Sequence, residues 1–392
     1  MDSIDCGYFN WDAGVLWQPN KQHTEFCSAG AWHRNTPALA TFTELAKNHI
    51  YKPNPTWIKQ LQSEPESAKT MKQLSQAIGF NGEIFDTESS ISTFIKTEGQ
   101  LLGIATFFSQ DIQGVEQEFC KFMEGIGTQF AQFMCRKQVE VELHRQNVLL
   151  QSELQQASEY VRSLLPVAMV ERVEIQSQFV PSMQLGGDAF DYYWLDDDHL
   201  VLYLLDVAGH GIKSALLSVS VMNILRSRAL SNTQFDSPKS VLTSLNQFFQ
   251  MSDTGDDYFT IWYGVYNYQT GQLTYSSAGH PPALLLRTND QEIRVQYLEA
   301  DGIPIGMFPD CDFEDKMAHI QPGSHLFLFS DGVYEIHQPD GVMWGLHSLI
   351  EWLKVYQRIS KNHLSSLFQE IQSVSAHQPL EDDFSIVEMR IH

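Results

Sequence analysis

The sequence predicts an α+β chain of more than one domain, and three changes of texture along its 392 residues carry that reading. Residues 1–137 mix short apolar runs with helical periodicity. Residues 138–165 are polar, lack Gly and Pro, and repeat apolar positions on a heptad. Residues 166–392 alternate apolar runs with turn signals and a few helices. A chain of this length can bury two or three cores.

In the first segment Gly14–Trp17 and Leu101–Phe108 read as strands, the second preceded by the turn-like Glu98-Gly99. Val115–Arg136 reads as a helix, because Phe119, Phe122, Met123, Ile126, Phe130, Phe133 and Met134 recur at three- and four-residue steps. In the second segment one seam runs through Leu143, Asn147, Leu150, Leu154, Ala157, Val161 and Leu164, in steps alternating four and three. With Leu150 at d, Asn147 falls at a, where a buried Asn fixes register and two-stranded pairing. A coiled-coil homodimer is expected, a single packed linker helix being the alternative, and Pro166 ends the helix. In the third segment the strand candidates are Val173–Val180, Leu200–Leu205, Tyr258–Tyr266, Leu273–Ser276, Ala283–Leu286, Leu326–Phe329 and Phe384–Ile391. Helices are expected over Lys213–Leu230, Ser237–Met251 and Leu346–Ile359. Antiparallel strands with helices packed outside make a layered sandwich.

Net charge −23 and a pI of about 4.9 exclude a general nucleic-acid binder and disfavour an anionic membrane surface. No run of apolar residues reaches membrane-spanning length. The acidic start, MDSIDCGYFNWDAG, lacks the order of a secretory signal. Cys6, Cys27, Cys120, Cys135 and Cys311 are odd in number and without CxxC spacing. Reduced thiols in the cytoplasm are expected.

The chemistry is concentrated in aspartates beside glycines or beside each other, at the ends of strand-like runs. They are Asp188 in LGGDAFD, Asp206 in LLDVAGHG, Asp331 in LFSDGV, and Asp382-Asp383 in LEDDFSIV. Carboxylates gathered about 5 Å apart, at an effective dielectric near 20, repel by roughly 3 kcal/mol per pair. Hard divalent cations with oxygen ligands relieve that repulsion, so the pattern predicts a metal site. The glycines after Asp206 let backbone carbonyls approach an ion, which makes the Val207 carbonyl a candidate ligand.

From Gln184 onward the chain resembles the SpoIIE/RsbU-type branch of the PPM (PP2C-like) serine/threonine phosphatases. The matching stretches are LGGDAFDYYWLDDDHLVLYLLDVAGHGIKSAL, FTIWYGVYNYQTGQLTYSSAGHPPALLL, DGIPIGMF, PGSHLFLFSDGVYE and DDFSIVEMRI. The resemblance implies an α-β-β-α sandwich over residues 166–392 with two Mn²⁺ or Mg²⁺ ions. Asp206 would bridge both ions and the Val207 carbonyl would bind one. Asp188 would serve one metal, Asp331 and Asp382 the other, and Asp383 would support the ligands from behind. His280, in the AGH motif, is a candidate proton donor to the leaving oxygen, or else a histidine that orders the turn before Pro281-Pro282. No phosphate-binding Arg is evident.

Gly14–Trp17, Cys27–His33, Gly103–Phe108 and Ile126–Phe133 resemble a GAF sensor domain over residues 1–137, whose ligand the sequence does not name; Trp32 and His33 are expected in its core, the lining of a ligand pocket being the alternative. Together the resemblances imply a sensor-regulated phosphatase acting on a phosphorylated bacterial regulator, of the STAS-type anti-sigma factor antagonist class. Two alternatives are a non-catalytic GAF-containing scaffold, which would have lost metal ligands, and a diguanylate cyclase. The cyclase rests on the GGDAF stretch and leaves Asp331 and Asp382 without roles.

Overall fold

The run Leu200–Leu205 has no polar face, and in the computed structural model of the chain it lies in a strand covered on both sides. The structure describes residues 11–20, 24–34, 36–48, 50–52, 90–97, 100–109, 117–250, 258–289, 292–356 and 363–392. The chain divides into two compact units, Met1–Val148 and Leu149–His392.

In the second unit two antiparallel sheets stack face to face. One has the order β14 (Lys316–His319), β11 (Gln272–Ala278), β10 (Phe259–Asn267), β9 (His199–Val207), β8 (Ala189–Trp194). The other runs β13 (Glu292–Leu298), β12 (Ala283–Asn289), β15 (Ser324–Phe329), β16 (Phe384–Ile391), β7 (Val173–Val180), β6 (Met169–Val170). Alternation along each strand builds the layers. Leu200, Leu202 and Leu204 meet Leu326, Leu328, Val387 and Met389 between the sheets. Val201, Tyr203 and Leu205 point outward, under helices Ile212–Arg226 and Pro238–Phe248. Leu284, Phe327 and Ile386 point the other way, under helices Gly345–Tyr356 and His363–Val374. The order is helix, sheet, sheet, helix. Trp262 stacks on Tyr275 in the central layer, and its indole N–H donates to the Leu298 carbonyl of the opposite sheet at 3.0 Å.

The helix Ile212–Arg226, hereafter α3, stops short of the expected Leu230 because Arg228 turns left-handed, at φ 53°. The next helix, α4, ends at Phe248, and Met251 lies outside the described residues, as does Ile359 beyond Tyr356. In this half strands β6, β8, β13 and β14 and the helix His363–Val374 are additions to the expected elements.

The first unit carries a sheet ordered β3 (Ile50–Tyr51), β2 (Phe26–His33), β1 (Ala13–Pro19), β5 (Gln100–Phe108), β4 (Ser90–Thr97), with α1 (Pro37–Asn48) against it. Glu98-Gly99 lies outside the described residues. Trp32 is only half-buried, over Gly14 and beside Phe107, and is not part of the core built by Ala13, Val15, Trp17 and Phe26. His33 is half-buried too, with Nδ1 2.7 Å from the Arg34 carbonyl.

The expected helix and linker form one uninterrupted helix, α2 (Gln117–Leu164). Its packed face differs from the expected stripe: Gly127 and Ala131 are buried, whereas Phe122, Ile126 and Phe133 are 49, 40 and 51% exposed. Close approach explains the choice, since a Cβ on Gly127 would stand 2.5 Å from the Phe94 carbonyl oxygen. Among the described residues no helix is long and apolar enough to cross a membrane. Cys27, Cys135 and Cys311 are free thiols; Cys6 and the Cys120 side chain lie outside the described residues.

Candidate active site

Register brings the first two aspartates together. Leu205 of β9 pairs with Ala189 of β8, so one step further in the same register Asp206 stands across from Asp188. Both share the parity of residues that fill the inter-sheet layer, Leu202 and Leu204 on one strand and Phe190 and Tyr192 on the other. The facing sheet repeats the pattern. Inward Leu326 and Leu328 lead to Ser330, and inward Val387 and Met389 lead back to Ser385 and Asp383. The Ser330 N–H donates to the Ser385 carbonyl at 3.1 Å. Asp331 opens a short 3-10 turn, Asp331–Val333, just past β15, and Asp382 lies just before β16. Asp206 lies at the end of its strand and Asp331 just past its own; Asp188, Asp382 and Asp383 precede theirs.

Electrostatics shows the convergence. Asp188 is 3% exposed, and burial, then the charges of Asp206 and Asp383, push its carboxyl well above the usual range. Its Oδ2 has no hydrogen-bond partner, and neither has the buried Ser385 hydroxyl. Asp206 is pushed up to about 7 by burial and by repulsion from Asp331 and Asp382. Asp331 is raised by burial and by Glu335, and Asp382 by partial desolvation and by Asp331 and Asp383, with His210 acting in the opposite sense.

Asp383 plays a different part. Its Oδ1 accepts the Ser182 N–H at 2.8 Å and the Ser182 hydroxyl at 3.0 Å, and its Oδ2 accepts the Gly187 N–H at 2.6 Å and the Asp188 N–H at 3.3 Å. It is buried and fully engaged within the protein, so it pins the loop that presents Asp188. Gly186 and Gly187 make this possible. A Cβ on Gly186 would stand 2.3 Å from Asp383 Oδ2, and one on Gly187 2.8 Å from the Val207 carbonyl oxygen.

His280 departs from the expected proton donor. It is 8% exposed, its Nδ1 lies 2.8 Å from Thr260 Oγ1, and burial pushes the imidazole down to about 3. A ring neutral at physiological pH has no extra proton to give. Thr260 is the register partner of Asp206, which makes His280 a brace behind the site.

Among the described residues, no three His, Cys, Asp or Glu side chains are drawn together as a ready-made metal cage. The donor set nevertheless fits hard divalent cations. It is all oxygen, its members repel one another at close range, and the buried Asp188 Oδ2 is an oxygen without a partner. Sequence reasoning missed Ser182, Ser330, Ser385 and Tyr334, the last raised to about 12 by burial and by the charges of Glu335, Asp331 and Asp206. The serines could have been found from strand parity; nothing in the sequence marked Tyr334.

The chain is similar to proteins of known class. The model of the family Stage II sporulation protein E (SpoIIE) matches residues 196–392. The phosphoserine phosphatase RsbU of Bacillus subtilis is 30% identical over 247 residues, covering 62% of this chain and 70% of RsbU. The phosphoserine phosphatase RsbP of the same organism is 32% identical over 188 residues, covering 47% of this chain and 45% of RsbP. Among solved structures, the SiaA-PP2C domain of Pseudomonas aeruginosa matches with a TM-score of 0.53 at 18% identity, covering 63% of this chain and 98% of that domain. The chain belongs to the SpoIIE family, with a PP2C-like phosphatase domain, and is by class a protein serine/threonine phosphatase. Asp188 lies outside the span matched by the family model, and its place in the site rests on the β8–β9 register.

Proposed function

We propose that the chain is a divalent-cation-dependent phosphatase that removes phosphate from phosphoserine or phosphothreonine on a bacterial regulatory protein, of the STAS-type anti-sigma factor antagonist class. What supports the proposal is the β8–β9 register that sets Asp206 across from Asp188, together with the mutual repulsion felt by Asp188, Asp206, Asp331 and Asp382. The similarity to the phosphoserine phosphatases RsbU and RsbP supports phosphoserine as the group attacked.

Asp206 and Asp188, at the buried base, would hold the ions with the Val207 carbonyl, and Asp331 and Asp382 would close the outer side. Two bound Mn²⁺ or Mg²⁺ ions would supply a water of lowered pKa and offset charge on the phosphoryl oxygens. Asp383 fixes the backbone of Gly187 and Asp188, which keeps the Asp188 carboxylate from turning outward. The hydroxyl of Ser330 donates to the Asp383 carbonyl at 3.1 Å and ties that loop to the end of β15. The neutral His280 holds Thr260, and so the β9–β10 edge beside Asp206.

Residues 1–137 would form a GAF-type sensor with an unidentified ligand, and residues 138–165 a linker that pairs two copies. Two observations support this. Phe122, Ile126, Phe133, Leu143 and Leu150 are all at least 40% exposed and fall on a and d positions of the phase set by Asn147, with Gln129, Arg136 and Glu140 interrupting the apolar seam between them. At the other end, Arg226 of α3 reaches both the Asp191 carboxylate (2.5 Å) and the Leu164 carbonyl that ends α2 (2.8 Å). The start of α3 follows the Asp206–Gly211 loop directly, so a shift of α2 has a mechanical route to the site.

The test is hydrolysis of an aryl phosphate with Mn²⁺ and with chelator, for the wild type and Asp206→Ala. Metal-dependent turnover lost in the variant supports the proposal. Equal turnover in chelator, or in the variant, contradicts it.

A further inference from the structure

We infer that His210 is a substrate-contacting residue, whose imidazole N–H donates a hydrogen bond to the phosphoryl group of an incoming phosphomonoester. This rests on the phosphatase reading of the same site.

The inference begins with a deficit. A phosphomonoester brings a charge of about −1.5 to −2 to the site. Among the described residues, the principal charge partners of Asp188, Asp206, Asp331 and Asp382 are one another, Asp383 and Glu335; the single basic group among them is His210, which acts on Asp382. Cations held by the carboxylates would offset charge on the phosphoryl oxygens nearest them, and a donor at the rim would serve the oxygens left over.

The loop that carries His210 is shaped to present it there. It leaves β9 at Val207 and enters α3 at Ile212, so its root is the Asp206 segment itself. The residues on either side, Gly209 and Gly211, have φ of 87° and 94°, a backbone that side chains disfavour. At neither would a Cβ meet an atom within 4 Å, so the loop stands clear of its surroundings. The Gly209 carbonyl lies against Gly187, which places the loop over the Asp188 segment on one side, while Asp382 feels His210 from the other. His210 itself is exposed, and its ring has no hydrogen-bond partner within the protein among the described residues. An imidazole donates an N–H whether neutral or protonated, so the contact does not depend on its charge.

The experiment compares wild type, His210→Ala and His210→Asn, all with saturating Mn²⁺. It measures KM and kcat for an aryl phosphate, and by calorimetry the binding of inorganic phosphate and of Mn²⁺. A hydrogen bond to a charged oxygen implies about a tenfold rise in KM and in the phosphate Kd for His210→Ala. Mn²⁺ binding should be unchanged, and His210→Asn, which keeps an N–H donor, should recover most of the loss. Unaltered KM and phosphate binding in His210→Ala would overturn the inference. So would a loss of Mn²⁺ binding, which would place His210 behind Asp382 rather than on substrate. A wild type that binds phosphate in a His210-dependent way yet hydrolyses nothing would refute the phosphatase proposal and leave this one standing.

Discussion

Replacing Asp206 with Asn should abolish turnover and, with chelator present, stabilise the protein. The folded protein holds the Asp206 proton more tightly than an unfolded chain does, because burial and the neighbouring Asp331 and Asp382 push this carboxyl from 3.8 up to about 7. A raised acid costs nothing below about pH 4, where both states are protonated. The cost grows as pH rises through the window from about 4 to about 7, and is complete above it. At 1.36 kcal/mol for each pH unit, the span from 3.8 to about 7 corresponds to about 4 kcal/mol. The cluster shares its repulsion and can relax, so a gain of about 2–3 kcal/mol is expected from Asn at about pH 8. Urea unfolding in chelator at about pH 8 and about pH 4 reads this directly, with the gain confined to the higher pH. An Asp206→Asn protein no more stable than wild type at the higher pH would refute the reasoning, as would a gain of equal size at the lower.

Three further outcomes follow from other contacts. Asp383→Ala leaves the Ser182 and Gly187 N–H groups without their acceptor and should destabilise the phosphatase domain by about 2–4 kcal/mol in urea unfolding, with Mn²⁺ affinity falling in parallel. Gly187→Ala puts a methyl group 2.8 Å from the Val207 carbonyl oxygen, and should weaken Mn²⁺ binding at least tenfold, roughly the effect of a displaced ligand's neighbour. His280→Gln should leave the acidic limb of the pH–rate profile in place, since a ring held down to about 3 is not the group titrating there; a shifted limb would restore it as a proton donor.

Much of the layered half of the molecule was legible because its strands are apolar on both faces and its turns carry Gly and Asn. Leu200–Leu205 needed no more than that. Strand β8 was hidden because DAFDYYW mixes acidic and aromatic residues. Its Asp191 is buried only because Arg226, distant in sequence, reaches it. The aspartates themselves stood out by their glycine neighbours, and in the structure they act on one another's charge without forming a ready-made cage among the described residues. Their division of labour was harder to read. Nothing local separates Asp382, exposed at the rim, from Asp383, buried and bonded to Ser182 and Gly187; strand parity decides it. The helix α2 misled for a related reason. Periodicity reports an apolar stripe but not what covers it, and the face that packs is the one with Gly127 and Ala131.

Manganese titration followed by electron paramagnetic resonance tests the central claim most directly, because it counts ions without requiring turnover. Two Mn²⁺ per chain in the wild type, with spin coupling between them that disappears in Asp206→Ala, is the expected result. Ions that bind as tightly and in the same number after Asp188, Asp206, Asp331 and Asp382 are replaced would show that these carboxylates are not the metal site.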